Sequence, residues 1–230
     1  ISNNYVINLL DLWPKVFRYK IFDIFKTILK LKNKNKNIKV IIYTNNMGER
    51  GWTINIKKYI EKKIKNKIFD KVITANSKYN LRTSDDKIFN DVIRCLKYKN
   101  NNNKFIFFDD QYYPLMENKN LEYMLVEPYI YTLKCDYMIE SFLESKYNTF
   151  AKSKEEKNKF KNKMSYLLNS YEKKPKKRFK VVKVDKANYK KINKSLNKFL
   201  NLTKKNQKSL KNYKKKSIKK YKKSIKNYKK

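Results

Sequence analysis

The stretch KVIIYTNNMGERGW, from Lys39 to Trp52, predicts an α/β fold. Its apolar first half is typical of a strand in a sheet that helices cover on both faces. The polar loop that follows holds Gly48 and Gly51, the only two glycines among 230 residues. Glycine tolerates left-handed backbone and close approach by other groups, and loops of this kind present backbone N–H groups to phosphate. A plain turn into the next helix explains both glycines equally well.

The same alternation of strand and helix continues on both sides of this stretch. Four strands are predicted, near 39–43, 69–74, 104–108 and 122–126. The segment SDDKIFNDVIRCL has apolar residues at helical spacing, which predicts a helix with Ser84 as its N-cap. Amphipathic helices are predicted over 136–147 and 155–171. Strands that alternate with helices predict a parallel sheet in a Rossmann-like, three-layer α/β fold.

The composition divides the chain into three parts. We assign 1–150 to the α/β domain, 151–174 to a helical extension and 175–230 to a lysine-rich, low-complexity tail. From residue 173 onward there are 26 basic residues and one acidic residue, which contributes +25 to a net charge of +39. The degenerate repeats SLNKF, SLKNY, SIKKY and SIKNY also lie there. Such a tail holds too little apolar surface to offset its ordering entropy, so poor packing is predicted after Pro175.

Several partners and locations are compatible with this charge. The lysines can neutralise phosphates of nucleic acid, and the interleaved tyrosines can stack on unpaired bases. Attachment to a membrane surface is an alternative, and so is a solubilising tail that reflects an A+T-rich genome. The chain contains no histidine, and its two cysteines are far apart, which argues against a zinc site. No transmembrane run or signal peptide is visible, so an intracellular location is expected.

Polar side chains follow two of the predicted strands. Thr44 and Asn45 end the first strand, and Asp109 and Asp110 end the third. In open α/β sheets ligands bind beyond the carboxyl ends of the strands, and paired carboxylates suit a hard cation such as Mg²⁺. Lys87, predicted in the first turn of its helix, is placed to meet a phosphoryl oxygen. Solvated turns and local charge compensation explain the same residues structurally.

The strand that ends at Thr44, then Lys87, then the strand that ends at Asp109 and Asp110 match motifs II, III and IV of a known family in order. From about Trp13 to Tyr131 the chain resembles the haloacid dehalogenase-like (HAD) hydrolases. The resemblance is to their phosphatase-like branch, which includes polymerase-tail phosphatases and uncharacterised proteins of large DNA viruses. The strings that carry it are LWPKVFRYKIF, IIYTNNMGERGW, RTSDDKIFNDVIRC and FIFFDDQYYPLM.

This resemblance implies phosphoryl hydrolysis through an aspartyl-phosphate intermediate, with Mg²⁺ as cofactor. The substrate would be a phosphorylated molecule whose class the sequence leaves open. The implied roles are Thr44 and Lys87 in catalysis, Asn45 and Gly48 in phosphate binding, and Asp109 and Asp110 as metal ligands.

One family motif is missing from the chain. Motif I, DxD after the first strand, supplies the nucleophile and the acid/base, and no DxD occurs here. Asp11 is the strand-end candidate, but Trp13 stands where the second aspartate belongs. We expect that motif I lies upstream of a truncated chain, or that this is a catalytically inactive HAD-like module with a basic, nucleic-acid-binding tail. Since the family places this strand centrally, the sheet should show a gap there or be filled by residues 5–10.

Overall fold

The computed structural model of the chain describes residues 3–46, 50–75, 81–98, 103–129, 133–169 and 183–201. It has a mixed α/β architecture in which short parallel strands lie among longer helices. The strands are β1 (Ile41–Tyr43), β2 (Lys71–Ile73), β3 (Phe105–Asp109) and β4 (Leu121–Leu125). The helices up to residue 169 are α1 (Asn3–Leu12), α2 (Ile21–Lys34), α3 (Arg50–Ile64), α4 (Phe89–Leu96), α5 (Cys135–Leu143) and α6 (Lys154–Asn169).

The four predicted strands are all present and pair in parallel. β1 pairs with β2 so that Ile42 lies opposite Val72, and β3 pairs with β4 so that Phe107 lies opposite Tyr123. In the described ranges they form two sheets of two strands each, and a complete Rossmann-like sheet is not present. β1 and β3 are nevertheless neighbours, because the rings of Tyr43 and Phe107 lie 6.4 Å apart.

Helix α4 packs its apolar side against these strands. Phe89 and Val92, one turn apart, are buried together with Met116. Partly buried side chains from β1, β3 and β4 surround them, namely Tyr43, Phe105, Phe107, Leu121 and Tyr123. This core fixes the position of the loop that leads into α4.

The predicted N-cap of this helix is wrong. The helix begins at Phe89 with Ile88 as its N-cap, and the hydroxyl of Ser84 accepts the N–H of Asp86 at 3.0 Å in a turn instead. Lys87 therefore lies just before the helix and not in its first turn.

Residues 5–10 belong to helix α1, so a strand there is wrong. α1 packs against α3, where the Tyr59 hydroxyl donates to the carbonyl of Leu10 at 3.2 Å. The ring of Tyr59 also stacks on Phe17 with centroids 5.1 Å apart. Tyr59 is almost fully buried, and it makes α3 the centre of this helical layer.

Helices α5 and α6 form a second apolar cluster, close to the bounds predicted for them. Its buried members are Ile139, Leu143 and Ala151, packed against one side of α6. The buried side chain of Asn148 holds the connection, since its amide donates to the carbonyls of Leu143 and Ala151 at 2.9 and 2.7 Å.

The chain divides into two compact units, Ile1–Tyr189 and Lys190–Lys230. In the first unit residues 183–189 are helical, and Asp185 and Asn188 are buried. Asp185 accepts a hydrogen bond from Arg18 at 3.1 Å, and Asn188 exchanges two with the backbone of Glu127 at 3.2 Å. The prediction of poor packing after Pro175 is therefore wrong for 183–189, because polar side chains anchor a segment with little apolar surface.

Residues 190–201 of the second unit are also helical. The repeats that begin at Ser209, Ser217 and Ser224 lie outside the described residues. The domain limits predicted at 150 and 174 stay predictions. None of the described helices has both the length and the apolar character that a membrane crossing requires.

Candidate functional site

Thr44 and Asn45 leave β1 at its carboxyl end, as the sequence predicts. The N–H of Thr44 donates to the carbonyl of Ile73 at 2.9 Å, which continues the β1–β2 ladder by one residue. The Thr44 hydroxyl oxygen accepts the N–H of Asn46 at 3.1 Å. This contact turns the chain and orients the hydroxyl, whose proton can still be donated to a ligand.

Arg82 is a site residue that the sequence reasoning missed. Its guanidinium donates to the carbonyl of Thr44 at 3.1 Å and to the side-chain oxygen of Asn45 at 2.9 Å. It also donates to three carbonyls of its own loop, those of Ser84, Asp85 and Asp86, at 3.2, 2.9 and 3.0 Å. Arg82 thus joins the end of β1 to the loop that carries Lys87.

Lys87 and Asp109 meet in a buried ion pair. The Lys87 ammonium is in direct contact with the Asp109 carboxylate, and their side chains are only 9% and 8% exposed. The second carboxylate oxygen of Asp109 accepts the N–H of Gln111 at 3.0 Å. The ammonium also lies 4.9 Å from the centre of the Tyr113 ring. Two residues from separate predicted motifs therefore share one site, although their chemical roles stay predictions.

Tyr113 connects this pair to the end of β1. Its hydroxyl accepts a hydrogen bond from the amide of Asn45 at 3.3 Å and donates one to the side chain of Gln111 at 2.6 Å. Burial, followed by the negative charge of Asp109, raises the pKa of Tyr113 above its ordinary value of 10.0. The phenol therefore stays protonated at neutral pH and can both donate and accept a hydrogen bond. The string DDQYY gave no signal for this role beyond its place after a strand.

The two carboxylates do not by themselves fit a resident Mg²⁺. Asp109 is already neutralised by Lys87, and Asp110 is exposed on the loop beyond it. Mg²⁺ requires near-octahedral oxygen ligation. Over the ranges that the structure covers, no three acidic, cysteine or histidine side chains are grouped so as to hold a metal. The predicted metal role of Asp109 and Asp110 accordingly stays a prediction.

The remaining sequence candidates lie elsewhere. Asp11 is on helix α1 and does not follow a strand, so the strand-end interpretation is wrong. It accepts the Tyr59 hydroxyl at 3.0 Å and pairs with Lys63 at 2.5 Å. Burial alone would raise the pKa of Asp11, but the hydrogen bonds from Lys63 and Tyr59 and the nearby lysine charges hold it below its ordinary value of 3.8. Asp11 is thus a structural carboxylate between α1 and α3.

Gly51 does not lie in the loop after β1. Gly51 lies in the first turn of α3, its φ is not positive, and an added Cβ would meet no atom within 4 Å. Its predicted role in shaping the loop is therefore wrong. Gly48 lies outside the described residues, so its predicted part in phosphate binding stays a prediction.

Protein-family models, curated protein sequences and solved structures all give no match to this chain.

Proposed function

We propose that this chain carries the phosphate-binding part of a HAD-like phosphatase. The observation that supports it best is the buried contact between Lys87 and Asp109, which Arg82 and Tyr113 connect to the end of β1. These groups come from three separate segments and meet at the carboxyl ends of parallel strands, where ligands of α/β proteins bind. An ammonium and a threonine hydroxyl are both suitable donors for phosphoryl oxygens.

We further propose that β1–β2 and β3–β4 are two halves of one Rossmann-like sheet that lacks its central strand. The support is that the two pairs are separate while the side chains of Tyr43 and Phe107 meet between them. A parallel strand between β1 and β3 would bring its carboxyl end to Lys87. In the family that strand supplies the nucleophile, so the residues that the structure describes would position a phosphate without offering a covalent route.

The chemistry proposed for the described residues is therefore binding. Thr44 donates its hydroxyl proton to a phosphoryl oxygen, and the ammonium of Lys87 is shared between the phosphate and Asp109. Asn45 does not reach the ligand with its side chain, since Arg82 and Tyr113 already engage it. Asn45 instead keeps the backbone after Thr44 in place. Binding of Mg²⁺ at Asp109 and Asp110 would need oxygen ligands in addition to these two carboxylates.

Binding is tested by thermal unfolding of the full chain with increasing inorganic phosphate. Phosphate should raise the melting temperature of the parent protein, because a ligand of the folded state stabilises it. The effect should be much smaller in Thr44→Val, which removes the hydroxyl and keeps the side-chain shape. A matched control is Thr27→Val, whose hydroxyl bonds only to the carbonyl of Asp23 in helix α2, at 3.0 Å. Equal phosphate effects in the parent protein and Thr44→Val would contradict the proposed site.

Turnover of p-nitrophenyl phosphate, with and without Mg²⁺, tests the catalytic part. We expect very slow hydrolysis or none. Robust turnover that is unchanged in Asp109→Asn would rule out a HAD-like mechanism. Robust turnover abolished by Asp11→Asn would show that Asp11 supplies the missing nucleophile. The alternative function, an inactive module with a nucleic-acid-binding tail, depends on residues 175–230, of which the structure describes 183–201.

A further inference from the structure

A second feature is built from other residues, on the surface formed by residues 15–20, Tyr137 and helical residues 183–189. Lysines and tyrosines alternate in space there, and we call it the basic tyrosine patch. Its members are Lys15, Tyr19, Lys20, Tyr137, Lys186 and Tyr189. They come from three separate parts of the chain, so neither a single sequence window nor the tail repeats would have revealed the patch.

The frame beneath the patch is built from buried hydrogen bonds. The carboxylate of Asp185 accepts from the Arg18 guanidinium at 3.1 Å and from the backbone N–H of Tyr19. Tyr129 donates its hydroxyl to the carbonyl of Lys15 at 2.6 Å. Asp185 is nearly inaccessible, at 4% exposure. The segment 15–20 and the helix at 183–189 are therefore held together by specific contacts.

The charges and rings of the patch are closely interleaved. The Lys20 ammonium lies 5.5 Å from the ring centre of Tyr19 and 5.6 Å from that of Tyr189. Lys186 lies 5.7 Å from the Tyr19 ring, and the two tyrosine rings meet edge to face at 5.9 Å. At the other end, Lys15 lies 5.9 Å from the ring of Tyr137. Each of the four lysine–ring distances is within the range of a cation–π contact.

The positive charge of the patch is not compensated. Over the described part of the chain, Lys15, Lys20 and Lys186 form no ion pair. The nearby carboxylate of Asp185 is buried and already pairs with Arg18. Tyr19 and Tyr137 keep 38% and 43% of their surface exposed. An anionic partner with flat aromatic groups fits both properties.

We propose that the basic tyrosine patch binds single-stranded nucleic acid. The lysines would neutralise backbone phosphates, and the exposed tyrosine rings would stack on unpaired bases. A membrane surface fits less well, because interfacial segments present a continuous apolar face opposite the charges. Here the rings lie among the lysines. This binding is independent of the phosphate site and of the chain after residue 201.

The test uses the full chain and a short fluorescein-labelled oligothymidylate, with binding followed by fluorescence anisotropy at several salt concentrations. Lys20→Gln combined with Lys186→Gln should reduce the slope of log K against log salt by about 1.4, since each phosphate contact with a single strand contributes about 0.7. The matched control is Lys58→Gln with Lys119→Gln, two exposed lysines outside the patch. It makes the same change of net charge and should leave the slope nearly unchanged.

The stacking component is tested separately with Tyr19→Leu. Loss of one stacked base should weaken binding to the oligothymidylate about tenfold, with the salt slope unchanged. Binding to a duplex of the same length should not respond. The backbone N–H of Tyr19 still reaches Asp185 in this variant, and a circular dichroism melt verifies that the fold is kept.

Two results would overturn the proposal. Equal losses in the patch and control variants would assign binding to the overall charge of the chain. Loss of binding to phosphatidylserine vesicles in the patch variants, with oligonucleotide binding unchanged, would assign the patch to a membrane surface instead.

Discussion

The buried pair of Lys87 and Asp109 makes the sharpest energetic prediction. In Lys87→Met the side chain keeps its length but loses its charge. The Asp109 carboxylate, which is 8% exposed in the parent protein, then keeps the hydrogen bond from the Gln111 N–H but loses its cation. Removing one member of a buried pair costs about 3–5 kcal/mol, because the other charge is left uncompensated. Asp109→Leu should cost a similar amount. The double variant removes both charges and should lie within about 1 kcal/mol of the parent protein.

Urea unfolding followed by circular dichroism measures all four proteins and gives the coupling energy of the cycle. The control is Lys159→Met, the same substitution in a pair with Glu155 whose side chains are 75% and 77% exposed. It should change stability by no more than the error of the measurement. If Lys87→Met and Lys159→Met behave alike, or if the double variant loses the sum of the two single losses, the pair is not buried and coupled as described.

Three further predictions follow from single positions. Gly51→Ala should raise the free energy of unfolding by about 0.5 kcal/mol in urea titrations, since Gly51 is helical and space for a Cβ is open. Lys97→Gly should raise the free energy of unfolding by about 0.5–1 kcal/mol, because Lys97 follows α4 in a left-handed conformation with φ 55°. A lower melting temperature in this variant would contradict this prediction. Asp11 has a lowered pKa, so its stabilisation is complete at neutral pH and disappears as the pH falls through that pKa, below 3.8. The stability difference between the parent protein and Asp11→Asn should therefore be present at neutral pH and vanish in acid.

The strands could be predicted from sequence because their signal is local. Runs such as IIY and FIFFD are continuously apolar, and the helical spacing between them implies parallel neighbours. The approach of Lys87 to Asp109 agrees with the same topology, since Asp109 ends β3 and Lys87 lies in the loop that leads into α4. The prediction of one continuous parallel sheet is not met in the described residues, where β1–β2 and β3–β4 form separate pairs, because apolar runs indicate strands but not which strands hydrogen-bond to each other.

The missed features depend on contacts between distant residues. The string YVINLL is compatible with a strand or a helix, and packing of α1 against Tyr59 of α3 decides for the helix. Ser84 has the chemistry of an N-cap, but Arg82 holds the carbonyls of residues 84–86 in a loop, so the helix starts later. Likewise, low complexity does not reveal that Asp185 would reach Arg18.

The choice between arginine and lysine carries a signal that composition obscures. Only five of the 59 basic residues are arginine, so the contacts of each described arginine are worth comparing with those of the lysines. Arg82 uses its forked guanidinium for five acceptors, more than an ammonium can serve.

The same contrast singles out Lys87. In the described ion pairs three carboxylates are less than a tenth exposed, those of Asp91, Asp109 and Asp185. Arginine pairs with Asp91 and Asp185, whereas Asp109 pairs with Lys87. An arginine fork locks onto one carboxylate, but an ammonium has three donors that turn freely and can serve a second oxygen ligand. An ammonium at this position can turn a further donor towards a second acceptor, which agrees with the proposed binding of a phosphoryl oxygen by Lys87.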